Sequence, residues 1–106
     1  MHIRNEVIEY AVEMEKKLQA NDHKKDWKSL SVSDSAWFLS RLKDEVAELE
    51  EALEIGTTED IVKETADVGN FAMMIMDVFR REERDGIFDC TMGQPKRQSF
   101  SRQIRT

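Results

Sequence analysis

Residues 42–71 read LKDEVAELEEALEIGTTEDIVKETADVGNF, and this stretch decides how the chain folds. It carries two acidic pairs of one spacing, Glu45 with Glu48 and Glu64 with Asp67, on two successive apolar-periodic segments. Residues three apart are neighbours on a helix face, so each pair sets like charges side by side. A cation is expected between them. At about 100° per residue, Phe38, Leu42, Val46, Leu49 and Leu53 form the apolar stripe of the first segment. Glu45 falls on the edge of that stripe, with Glu48 just beyond. On the second segment Ile61, Val68, Phe71, Ala72, Ile75 and Phe79 form the stripe, with Glu64 inside the arc and Asp67 at its margin. Burying an ionised carboxylate unpaired costs on the order of several kcal/mol, so such groups are protonated, ion-paired or bound to metal. Glu50, Glu51, Glu54 and Glu59 suit a solvated face instead.

Working outward, Gly56 closes the first of these helices and Thr57 or Thr58 caps the next, with Glu59 and Asp60 complementing the positive end of its dipole. So short a connection predicts an antiparallel hairpin. At 1.5 Å per residue, Glu45 and Asp67 stand about 11 residues either side of Gly56 and Glu64 about 8 beyond it, which brings the pairs to similar heights. The helix before Gly56 is expected to start at Ser33 or Asp34 and to run to about Glu54. The helix after it should pass through MMIMDVF to about Arg84, with Gly69 marking close helix packing. Ile3, Val7, Tyr10, Ala11, Met14 and Leu18 give an earlier amphipathic helix over residues 3–18 that stops at Ala20-Asn21-Asp22. Between lies the polar connection HKKDWKSLSVSDS, whose Trp27 either plugs the edge of the core or offers a flat face to a base.

At 106 residues the chain makes one domain, and 36% charged residues with a single Pro and four Gly favour long helices over a turn-rich β protein. The expected fold is all-α: an antiparallel helical bundle of three main helices, with room for a short fourth, completed by oligomerisation. Residues 1–88 form the helical domain and 89–106 a basic, weakly ordered tail containing Lys96, Arg97, Arg102 and Arg105. A net charge of -6 argues against nucleic acid as the main partner. One cysteine, Cys90, excludes an internal disulfide, and with no apolar run near 18 residues no membrane is expected and the chain reads as cytoplasmic.

Four carboxylates converging between two helices suit a hard divalent cation, and magnesium is favoured over calcium because there is no EF-hand loop. A di-iron bundle calls for Glu and His three apart on a helix, and the two histidines, His2 and His23, lie outside both acidic helices. Zinc is equally poor with one Cys, and no Gly-rich phosphate loop is present.

The run E-V-A-E-L-E-E-A-L from Glu45, followed by E-T-A-D-V from Glu64, resembles the ExxE and ExxD motifs of the MazG-like all-α nucleoside triphosphate pyrophosphohydrolases. The resemblance extends over roughly residues 25–80, beginning at Asp26-Trp27. It implies Mg²⁺, replaceable by Mn²⁺, held by Glu45, Glu48, Glu64 and Asp67, and hydrolysis of a nucleoside triphosphate between its α and β phosphates. It also implies a homodimer or tetramer, and a proton acceptor that is either Glu48 or Asp44. Trp27 and Phe71 stand where relatives place base-contacting aromatics. The fourth helix that supplies phosphate contacts in many relatives is not visible, and Arg80, Arg81 and Arg84 are either its substitutes or a solvated helix end. Asn70, at a position often apolar in the family, is a candidate contact to base or sugar. A non-enzymatic helical adaptor, using the acidic face to bind a basic partner, is the alternative.

Overall fold

The computed structural model describes residues 1–22 and 26–85. His23, Cys90, the short fourth helix and the basic tail 89–106 fall outside them. The described residues are all-α: α1 (Asn5–Ala20), two single turns of 3-10 helix (Trp27–Ser29 and Val32–Asp34), α2 (Ser35–Ile55) and α3 (Thr58–Asp85), with no strand among them. None of these helices is long and apolar enough to cross a membrane.

Local chemistry sets the helix ends. At the end of α1 the Asn21 side-chain amide donates to Lys17 O, satisfying one of the carbonyls that a helix end leaves over. Before α2 the Asp34 carboxylate accepts from the Ser31 backbone N–H at 2.9 Å. Thr57 and Asp60 bond reciprocally at the start of α3, each side chain accepting from the other's backbone N–H. Gly56 closes α2 as the sequence predicts, with a φ of -95° that is open to any residue. Its need is steric: a Cβ there would stand 2.8 Å from Ala52 O.

Only Gly56 and Thr57 separate α2 from α3. Trp37 meets Phe71 and Glu45 meets Glu64, so residue numbers rise along one helix as they fall along the other and the two run in opposite senses. The buried lines differ from those that the sequence predicts. On α2 the buried residues are Phe38, Glu45 and Ala52, spaced by seven, which puts Glu45 at the centre of the seam rather than at its edge. Val46 and Leu53, expected inside, are exposed. On α3 the buried line is Ala66, Asn70, Met74 and Val78, four apart, while the predicted Ala72 is exposed. The reason is α1, which packs on α3 and takes part of its surface: Asn70 donates to Met14 O, and a Cβ on Gly69 would stand 2.8 Å from Tyr10 Cζ. Close packing at Gly69 is as the sequence predicts.

Phe38, Met74 and Val78 form the core, with Leu18, Trp27, Leu30 and Phe71 among the residues packed around it. The connection before α2 is pinned to the far end of α3. Trp27 Nε1 donates to Asp77 at 3.2 Å, Arg81 donates to Asp77 and to Lys28 O, and the Glu82 carboxylate accepts from Val32 N–H.

Candidate functional site

The hairpin of α2 and α3 carries its acids into one place. Single oxygens of Glu45, Glu48 and Glu64 lie within 4.8 Å of one another. Glu45 is 6% exposed, Glu64 half-buried and Glu48 open to solvent. The cluster therefore has a floor and a mouth. Oε1 of Glu45 and Oε1 of Glu64 are buried and without hydrogen-bond partners. Buried acceptors are nearly always satisfied, so two orphaned carboxylate oxygens in one cluster have lone pairs that a cation or a proton could take.

Electrostatics agree with that placement. Burial, then the neighbouring charges of Glu48 and Asp67, push the Glu45 carboxyl above the ordinary range, while the Arg41 guanidinium pulls it back. Glu64 is pushed up by burial first and then by Glu48 and Asp67, with Lys17 opposing. Bringing acids this close raises the cost of ionising each of them.

Two cations stand at the rim. Arg41 donates to Glu45 Oε2 at 3.2 Å and to Asp44 at 3.0 Å, and its guanidinium lies 5.3 Å from the centre of the Phe71 ring. Lys17, from α1, pairs with Asp67 at 3.3 Å. Asp67 thus stands beside the three-carboxylate cluster and is held by a lysine. Asp44 lies outside the cluster, largely exposed and paired to Arg41.

The fold distributes the expected substrate contacts unevenly. Phe71 is packed on the rim, edge-on to Trp37 with ring centres 6.3 Å apart. Asn70 is buried, its amide on α1 and its Oδ1 without a partner. Trp27 and Arg81 are engaged at the other end of α3 with Asp77, and Arg80 is exposed there. Lys17, Trp37 and Arg41 join the surroundings of the cluster without being singled out by the motifs. For Arg41 a signal was present, since it stands four before Glu45 and three before Asp44 on one helix. Trp37 shares the angular sector of Glu48 by the same arithmetic. Lys17 had none, because it meets Asp67 only through the docking of α1.

No family model, curated protein or solved structure matches this chain. Three glutamates with oxygens this close supply hard oxygen donors that could hold a metal ion, and two unpartnered buried oxygens fit that use.

Proposed function

We propose that this chain is a Mg²⁺-dependent nucleotide pyrophosphohydrolase, cleaving a nucleoside triphosphate between its α and β phosphates to the monophosphate and pyrophosphate. The observation that carries this reading is the convergence of Glu45, Glu48 and Glu64 around unpartnered buried oxygens. Those three residues hold the ion, with Asp67 adjacent. When bound, Mg²⁺, or Mn²⁺ in its place, neutralises the polyphosphate and eases the departure of pyrophosphate.

The chain's own residues have the other roles. Glu48, at the open mouth of the cluster, accepts the proton of the attacking water on the carboxylate oxygen that does not hold the ion, as the water oxygen bonds to the α phosphorus and the bond to the bridging oxygen breaks. Asp44 is less well placed for this, since Arg41 holds it outside the cluster. Arg41 and Lys17 put positive charge at the rim, where a polyanion must approach. The MazG-like motifs, ExxE at Glu45 and Glu48 and ExxD at Glu64 and Asp67, point to the same chemistry.

We read the assembly as an antiparallel helical bundle completed by a second copy, a dimer or tetramer. Leu39, Leu42, Val46, Leu49 and Leu53 repeat at intervals of three and four, and Leu39, Val46 and Leu53 are exposed, as a helix seam awaiting another helix would be.

Pyrophosphate release from a panel of nucleoside triphosphates with Mg²⁺ tests the reading. At least one should be hydrolysed, and Glu48→Gln should abolish release while the helical circular dichroism is retained. Absence of metal-dependent hydrolysis across the panel defeats it. Salt-sensitive association with a basic partner, with no effect of Mg²⁺ on melting, would then favour the adaptor.

A further inference from the structure

We infer that Trp37 is the residue on which the base of the nucleotide stacks, an inference that rests on the pyrophosphohydrolase reading and adds the recognition of a flat ring to it. The chain has two tryptophans, and they are placed very differently. Trp27 packs against the core, and its indole N–H is spent on Asp77. Trp37 is 49% exposed although its ring is braced twice, edge-on to Phe38 at 5.3 Å and to Phe71 at 6.3 Å. A large aromatic held by two rings and left half open is preorganised to stack, since it loses little freedom when covered.

Position along α2 supports the assignment. Trp37, Arg41, Glu45 and Glu48 follow one another at intervals of four, four and three, so they lie along one side of the helix. Eight residues of helix put Trp37 about 12 Å along the axis from Glu45. That is the kind of span a nucleoside triphosphate covers between its base and its polyphosphate. Arg41 stands between them, one face over Phe71 and its donors on Glu45 and Asp44, where sugar and α phosphate would lie. The ring of Trp37 is sequence-tolerant as a platform, because every base has a π face; Trp37 therefore supplies affinity for nucleotides as a class.

Tryptophan emission of the full-length protein reads this directly. The probes are a nucleoside triphosphate with a methylene in place of the α–β bridging oxygen, and inorganic tripolyphosphate, each with Mg²⁺. The nucleotide analogue should quench emission in wild type and in Trp27→Phe, and quenching should vanish in Trp37→Phe, whereas tripolyphosphate should bind without quenching. Trp37→Ala should weaken binding of the analogue by roughly 5- to 150-fold, the range stacking on one aromatic provides, and leave tripolyphosphate affinity unchanged. Unaltered nucleotide affinity in Trp37→Ala, with hydrolysis intact in wild type, overturns the base site and spares the reaction. Binding of neither probe overturns both. Emission of Trp37 that follows protein concentration and ignores nucleotide overturns the inference too, by placing this ring between two copies.

Discussion

Glu45 shows what a single residue contributes here. Its carboxyl is displaced upward by burial and then by Glu48 and Asp67, and Glu64 is displaced in the same direction. A group that holds its proton more tightly folded than unfolded contributes stability at acid pH, and that contribution is lost as pH rises through its folded value. Without divalent cations the melting temperature should therefore fall as pH climbs from the ordinary carboxylate range towards neutrality. With Mg²⁺ the fall should flatten or reverse, because the ion needs the carboxylates ionised. Melting curves across pH, in chelator and in Mg²⁺, check this; a flat profile in chelator would count against the strained cluster. Asn70 offers a second test. It is buried, gives its amide to Met14 O and leaves Oδ1 without a partner. Asn70→Asp removes the donor and buries a charge, so it should destabilise the fold by at least about 2 kcal/mol in denaturant titration. Asn70→Leu should cost less.

Among the elements, the docking of α1 on α3 is the joint most open to challenge. No residue of α1 is fully buried, yet Tyr10 lies over Gly69 and bonds to Thr65 O, Met14 O receives Asn70, and Lys17 reaches Asp67. A methyl on Gly69 would meet the Tyr10 ring, so Gly69→Ala should destabilise by roughly 0–2 kcal/mol, the overpacking cost of about 1–3 kcal/mol less the ~1 kcal/mol that alanine gains over glycine inside a helix. In a Tyr10→Ala background the same change should cost much less, and a double-mutant cycle measures the difference. Additive losses would mean that α1 does not rest there. The same joint explains what the sequence could and could not reveal. Helix ends were legible, because Thr57, Asp60 and Asn21 act on their own neighbours. So was the meeting of Glu45, Glu48 and Glu64, which follows from a short link and a rise per residue. The buried face of α3 was not, since α1 draws Ala66 and Asn70 inward from outside the apolar stripe. Nor was the pairing of Asp67, whose lysine comes from a helix fifty residues earlier.

For the whole molecule, the apolar surface still open is the outstanding feature. Leu53 is 63% exposed and Val46 48%, and together with Leu39 they stand seven apart along α2. Single exposed apolar residues are ordinary, but a row at this interval has the spacing of a helix-pair seam. If a second copy covers it, melting temperature must rise with protein concentration, because association stabilises the folded chain by mass action. Light scattering should then give a dimer or tetramer, and replacing Val46 and Leu53 together with Glu should yield a monomer whose melting no longer depends on concentration. Neither residue belongs to the acidic cluster, so the variant also asks whether assembly matters to the chemistry. Retained metal-dependent hydrolysis in that monomer would locate the whole reaction within one copy of the chain. A monomeric wild type at every concentration would end the case for assembly and leave the row of apolar residues to another partner.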